Sequence, residues 1–168
     1  GRAKGDQHRQ AKEEVESEVP KISLDYMYLH EKHPDLRRPA NVTGDGLPIL
    51  IIKDHKSKGI FAFPVPQKGE CEYVIRRGFQ DISRILGYRG KIILKGDQES
   101  SLQLVINWIA KLTSDQVIVE ESPVGESSSN GEVERAVQKV QGMYTTLRSQ
   151  LETDYGRKIP PDHPVLVW

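Results

Sequence analysis

The chain has 168 residues, 36% of them hydrophobic and 29% charged, which is enough for one soluble domain with a buried core. Its 24 basic and 24 acidic residues balance, so the composition argues against a protein that holds nucleic acid by overall positive charge alone. No apolar run approaches the roughly 20 residues that cross a bilayer, and the single cysteine, Cys71, excludes internal disulfides and favours a reducing, intracellular compartment.

The first residues of the chain predict a tail followed by a strand. Residues 1–19 have no apolar centre, so we expect a flexible N-terminal tail or linker and a folded domain over 20–168. The segment 21–29, KISLDYMYL, places Ile22 and Leu24 on one face in strict alternation, which predicts a strand with an acid in its middle.

A loop and a hairpin are predicted next. Residues 33–46 are dense in Pro, Gly, Asn and Asp, which is typical of a loop. The apolar runs 47–54 and 59–66, separated by HKSK, predict a hairpin. Pro64 and Pro66 interrupt its second strand, which is therefore expected at a sheet edge.

From residue 70 onward, the spacing of apolar residues changes from the alternation typical of strands to the spacing typical of helices. A helix is predicted over 70–86, with Gly87 as its stop signal. The run 91–97, KIILKGD, predicts a short buried strand that ends at Asp97. A second helix over 99–112 and a last short strand over 115–120 follow.

The strongest periodic signal lies near the C-terminus. Residues 122–130 are small, polar and turn-forming, and predict a loop that adjusts to substrate. Six apolar residues then recur at steps of four and three, which predicts one buried helical stripe: Val133, Val137, Val140, Tyr144, Leu147 and Leu151.

The predicted order is three strands, then helix, strand, helix, strand and helix. This order favours the α/β class, with a mixed sheet flanked by helices. The last apolar residues of the chain are expected to begin a further helix that the segment truncates.

Three carboxylates are candidates for a cation site. Asp25 interrupts an apolar strand and Asp97 directly follows a buried one, positions where a carboxylate is costly unless it is paired or binds metal. Among the later acids, Glu134 borders the apolar stripe, Glu132 lies on the other side of the helix, and Glu126 lies in the loop. Glu134 is therefore the chosen third acid, although strand and helix acids are more often simply solvated surface groups.

Three motifs resemble the catalytic core of retroviral and LTR-retrotransposon integrases. They are SLDYMYL, LKGDQES and SPVGESSSNGEVERAV, and the resemblance covers residues 20–168. It implies an RNase H-like five-stranded fold and a D,D-35-E acidic triad formed by Asp25, Asp97 and Glu134. Between the second and third acids lie 36 residues, one more than the usual retroviral count, which an extra loop residue would absorb.

The resemblance also implies a reaction and its cofactors. Two Mg²⁺ or Mn²⁺ ions, about 3.5–4 Å apart, would be held by the triad. DNA 3′-end processing and strand transfer would follow at this site, with no covalent enzyme intermediate. Asn130 is expected as a helix N-cap with possible DNA contact. Gln138 and Gln141 are expected to contact DNA ends without neutralising phosphate charge, so DNA binding is expected to be weak.

Further partners are implied only by the resemblance. A homo-oligomer, an upstream zinc-binding domain in the full polyprotein, and a location in the cytoplasm, nucleus or virus-like particle are expected. His30 and His33 have an H-x-x-H spacing, but one cysteine cannot complete such a zinc site. Two alternatives stay open, a related RNase H-like nuclease or transposase, and a non-catalytic nucleic-acid-binding remnant.

Overall fold

The protein is described by a computed structural model that covers residues 19–28, 48–113, 116–121, 127–160, 163 and 165, with the backbone alone for 127–130. Residues 1–18 of the proposed tail, the predicted loop 33–46, residues 122–126 of the later predicted loop, and both histidines of the H-x-x-H spacing lie outside these residues. The strands are β1 (Lys21–Tyr28), β2 (Pro48–Asp54), β3 (Ile60–Pro64), β4 (Ile92–Gly96) and β5 (Val117–Glu121). The helices are α1 (Glu72–Gln80), α2 (Ser100–Thr113) and α3 (Ser127–Tyr155).

The five strands form one mixed sheet in the order β3-β2-β1-β4-β5. Strand β2 is antiparallel to β1 and β3, whereas β1, β4 and β5 are mutually parallel. The α/β class and the mixed five-stranded sheet flanked by helices are therefore confirmed. The β2–β3 hairpin is also confirmed, and β3 lies at a sheet edge and ends at Pro64 as its prolines predict.

One face of the sheet is covered by α1 and α2 and holds the larger core. The alternation of β1 places Ile22, Leu24 and Tyr26 in this core, as predicted. They pack with the buried residues of β4 and α2, which are Ile92, Leu94, Leu102, Val105, Ile106 and Ile109.

The opposite face is covered by α3 and holds a smaller core. Its buried members are Met27, Ile49, Ile51, Val133 and Ala136. The predicted stripe is confirmed over the first half of α3, where Val137 and Val140 also pack against this core. It is wrong at Leu147, which is 67% exposed, whereas Tyr144 and Leu151 are half-buried.

Two helix boundaries differ from the prediction. Helix α3 begins at Ser127, so residues 127–130 are helical and Asn130 lies inside the helix instead of at its N-cap. Helix α1 begins at Glu72 and continues as a π-helical turn over 81–85, which buries Asp81 beside Arg77. Gly87, with φ of 73°, follows this turn and confirms the predicted stop.

No helix among the described residues combines the length and apolar character that crossing a membrane requires.

Candidate active site

Asp25 and Asp97 come to the same level of the sheet because β1 and β4 are parallel neighbours. The register pairs Ser23 with Lys95, and each acid lies two residues further along its own chain. Side chains two residues apart on a strand share a face, so Asp25 lies with Ser23 on the α3 side. Asp97 directly follows β4, and its carboxylate lies near enough to raise the pKa of Asp25. The sequence prediction that these strands bring the two acids together therefore agrees with the sheet register.

The Asp25 carboxyl lies in an environment that disfavours its charge. The pKa of Asp25 is raised to about 6, mainly by burial and in smaller part by the nearby carboxylates of Asp97 and Glu99. The backbone N–H of Tyr26, which donates to Asp25 Oδ1 at 2.7 Å, and the Lys68 ammonium act in the opposite direction. A cation close to this carboxyl would relieve the repulsion.

Asp97 lies in a short connection whose geometry is fixed by α2. Its carboxylate accepts a hydrogen bond from the backbone N–H of Glu99 at 3.1 Å, and its carbonyl accepts one from the Gln103 side chain. Just before it, a Cβ on Gly96 would lie 2.5 Å from Ile106 Cδ1, so the helix packs closely against the end of β4. This close packing positions Asp97.

Glu99 is a third acid at this edge that the sequence motifs did not single out. Its Oε2 pairs with Lys68 Nζ at 2.8 Å, and its Oε1 accepts a hydrogen bond from the Ser101 hydroxyl. Burial acts to raise the pKa of Glu99, but these two hydrogen bonds outweigh it and lower the pKa. The only sequence signal for this residue is its position two residues after Asp97.

Lys68 lies in the β3–α1 connection and joins several parts of the edge. Its Nζ lies 5.2 Å from the ring centre of Tyr26 and 4.8 Å from that of Tyr28, within cation–π range. The N–H of Gly69, a glycine with φ of 94°, donates to the Tyr26 hydroxyl at 3.3 Å and ties the connection to β1. Burial acts to lower the pKa of Lys68, but hydrogen bonds with Glu99 and Tyr28 outweigh it and raise the pKa.

Glu134 lies in the first part of α3 with its side chain exposed. Glu132 pairs with Lys58 of the β2–β3 turn at 3.2 Å. Since two residues correspond to about 200° of helix rotation, Glu134 points away from that turn. The side chains of Gln138 and Gln141 are exposed on α3, as a DNA-contacting role requires.

The described residues fit a cation site only in part. Asp25 and Asp97 supply the carboxylate oxygens that Mg²⁺ prefers, and their mutual repulsion favours a cation between them. Within the described part of the chain, no group of three His, Cys, Asp or Glu side chains is arranged to hold a metal ion. The structure thus brings the first two predicted acids together and does not gather Glu134 with them.

A hydroxyl–imidazole pair lies on the same sheet face, two residues before Asp25. Ser23 Oγ lies 2.7 Å from His55 Nε2, a spacing compatible with nucleophile activation. Ser23 is only 2% exposed, however, and Glu132, which could orient the imidazole, pairs with Lys58. The pair satisfies a buried hydroxyl and does not form a nucleophilic site.

The chain is similar to the catalytic core domain of BIV integrase in crystal form I, with 13% identity and a TM-score of 0.49, over 77% of this chain and 72% of that chain. No protein-family model matches the sequence. No curated protein sequence matches it either.

Proposed function

We propose that the chain is the catalytic core of an integrase from an LTR-retrotransposon or retroviral polyprotein, acting by metal-dependent phosphoryl transfer on DNA. The observation that supports this proposal is the parallel pairing of β1 with β4, after which Asp97 follows β4 near enough to raise the pKa of Asp25. The three sequence motifs, which surround Asp25, Asp97 and Glu134, supply the reaction class.

Asp25 and Asp97 are the residues that would hold the cations, Mg²⁺ or Mn²⁺. In the two-ion form of this chemistry, bound cations stabilise the attacking and leaving oxygens of an in-line displacement at phosphorus. Asp25 would serve as the shared ligand. The half-buried position that raises its pKa also excludes much of the water that would compete with substrate oxygens.

Glu134 is proposed as the third carboxylate. Support comes from helix phase, because Val133 faces the small core while Glu132 is held by Lys58 on the other flank. Glu134 is therefore outside that ion pair and exposed to solvent.

DNA is the proposed substrate, with water attacking near a 3′ end and the resulting 3′-hydroxyl attacking a target phosphodiester. Gln138 and Gln141 are exposed on α3 and would hydrogen-bond DNA ends without adding positive charge. Asn130, which is inside α3, is proposed as a DNA contact instead of a cap. A homo-oligomer, an upstream zinc-binding domain and a cytoplasmic, nuclear or particle location belong to the same proposal.

A non-catalytic nucleic-acid-binding remnant is the second candidate. The observation in its favour is that no three-residue metal group exists among the described residues. A related RNase H-like nuclease or transposase would use the same acids and differ only in what happens after cleavage.

Strand-transfer assays of the disintegration type separate these functions. With Mg²⁺ or Mn²⁺ an integrase core joins strands, a nuclease cleaves without joining, and a remnant does neither. We expect Glu134→Gln to abolish joining with folding intact, and Glu132→Gln, its matched control on the other flank, to retain it. Equal loss in both variants would exclude the assignment of Glu134.

Calorimetric titration of Mg²⁺ tests the cation site without any DNA. Heat of binding is expected for the wild type and is expected to be lost in Asp97→Asn. Absence of binding by the wild type would favour the remnant.

A further inference from the structure

Lys68 and Glu99 form an ion pair next to Asp25 and Asp97. The pair is short, at 2.8 Å, and its side chains are 26% and 34% exposed. Glu99 is linked to Asp97 through its own N–H, which donates to Asp97 Oδ1. Lys68 is linked to β1 through the rings of Tyr26 and Tyr28, the first of which directly follows Asp25. The pair is therefore held at a fixed place relative to both acids.

Glu99 is a neighbouring charge and not a cation ligand in this arrangement. Both of its carboxylate oxygens are engaged, one by the Lys68 ammonium and the other by the Ser101 hydroxyl. An oxygen that already accepts a short charged hydrogen bond would have to exchange that partner before it could bind a cation. Within the described part of the chain, Asp25 has no lysine partner of this kind, and the short hydrogen bond that it accepts comes from the adjacent backbone.

Among the described residues at this edge of the sheet, the carboxylates outnumber the ammonium group of Lys68. The carboxylates of Asp97 and Glu99 both lie within electrostatic range of Asp25, and Lys68 supplies the opposite charge. Interaction between charges a few ångströms apart near a protein surface is large enough to change the affinity for a doubly charged ion. Neutralising Lys68 and neutralising Glu99 therefore change the electrostatic potential at Asp25 and Asp97 in opposite directions.

We propose that the Lys68–Glu99 pair is a built-in counter-ion pair that sets the affinity of the Asp25–Asp97 site for divalent cations, with Lys68 weakening cation binding and Glu99 strengthening it. This inference rests on the cation site of the proposed function. It assigns Lys68 and Glu99 as positioning residues that tune the site through charge, and it requires no direct contact between either residue and the cation.

Calorimetric measurement of Mn²⁺ binding by four proteins, with no DNA present, tests whether each residue strengthens or weakens cation binding. Relative to the wild type, Lys68→Gln is expected to bind Mn²⁺ about three- to tenfold more tightly and Glu99→Gln about three- to tenfold more weakly. The double variant K68Q/E99Q, in which both charges are removed, is expected to return to the wild-type affinity. Circular dichroism confirms that each variant is folded.

Two control variants separate charge from shape. Lys68→Arg keeps the charge and is expected to bind Mn²⁺ within about twofold of the wild type. Lys111→Gln removes a lysine that lies over the Trp108 ring near the end of α2. Eleven helical residues place it about 16 Å from Ser100 along the helix axis, beyond the screening length of about 8 Å at physiological salt, so no change in affinity is expected.

The outcomes distinguish this inference from the proposed function. If the wild type binds Mn²⁺ and both single variants shift affinity in the same direction, the pair has only a structural role and the inference is wrong, while the cation site stands. An unchanged affinity in both single variants overturns it equally. If the wild type binds no Mn²⁺, the cation site of the proposed function is wrong and the inference is overturned with it.

Discussion

The two faces of the sheet differ in what they bury. The face under α1 and α2 is covered by a continuous apolar core that includes Leu24, Leu94 and Ile106 at 1% exposure or less. The face under α3 has five buried apolar residues among those the structure describes, and the same strands place Ser23, Asp25, Lys53 and Lys95 on it. Polar and charged groups thus share this second face with the smaller core.

One face of the sheet therefore mainly stabilises the fold, and the other carries the acids of the candidate site. Because alternate residues of β1 point to opposite faces, one strand supplies core packing on one side and a carboxylate on the other. The larger core keeps β1 and β4 in register, and the acids on the opposite face depend on that register. Substitutions on the two faces should therefore have different consequences.

The largest expected effect on stability is on the face under α1 and α2. Leu94→Ala removes a fully buried side chain and is expected to lower the free energy of unfolding by about 2–5 kcal/mol. Val140→Ala, a matched truncation of a partly buried residue on the α3 face, is expected to cost about 1 kcal/mol or less. Urea denaturation of both variants measures the difference, and equal losses would contradict the comparison.

Asp25 should give the stability of the protein a pH dependence that originates on the α3 face. Its native pKa of about 6 exceeds its ordinary value of 3.8, so the native state binds more protons than the unfolded state between these values. Stability from this residue is therefore present below about pH 4 and is lost as pH rises through 6. In metal-free buffer, Asp25→Asn is expected to be more stable than the wild type at pH 8, by up to about 3 kcal/mol.

Unfolding free energies of the wild type and Asp25→Asn at pH 3.8 and pH 8 check this sign. The two proteins should converge at the lower pH. A difference that is the same at both values would show that ionisation of Asp25 does not oppose folding.

Gly96 tests how closely α2 must approach the edge that carries Asp97. A Cβ there would lie 2.5 Å from Ile106 Cδ1 and 3.0 Å from Leu102 Cδ2, so Gly96→Ala is expected to destabilise the fold by about 1–3 kcal/mol. Gly142 lies in α3 with no atom within 4 Å of such a Cβ. Gly142→Ala is expected to stabilise the protein by about 0.5–1 kcal/mol through helix propensity. Thermal unfolding should therefore show a lower midpoint temperature for Gly96→Ala and a higher one for Gly142→Ala.

The smallest effect is expected where α3 meets the β2–β3 turn. Glu132→Gln removes the ion pair with Lys58, whose side chain is 62% exposed, so a loss of about 0–1 kcal/mol is expected. A larger loss on thermal unfolding would mean that this contact, and not the small apolar core, holds α3 on the sheet.

Much of the fold could be predicted from the sequence because its apolar periods are clear. Helix α2 was predicted over 99–112 and spans Ser100–Thr113, and the β2–β3 hairpin follows its turn residues. The start of α3 could not be predicted, since the serines at 127–129 have weak helix propensity and packing context overrides such a prior. The π-helical turn with buried Asp81 leaves no periodic signal either.

The site was predictable to the extent that its acids interrupt apolar strands. Asp25 and Asp97 stand out for that reason, and the parallel register places them together. Lys68 and Glu99 could not be found in this way, because Lys68 lies in a connection without periodicity and meets Glu99 only in the folded chain. The role of Glu134 stays a prediction, since helix phase fixes its direction but not its partners.

The parallel pairing of β1 with β4 has a consequence for how such a site comes into being. The two acids are separated in the chain by a hairpin and the whole of α1, so no local segment contains the site, and only long-range strand pairing creates it. A cation that binds both acids would bind the folded chain and not the unfolded one. Raising its concentration would therefore shift the unfolding midpoint upward, and occupancy would report that folding is complete.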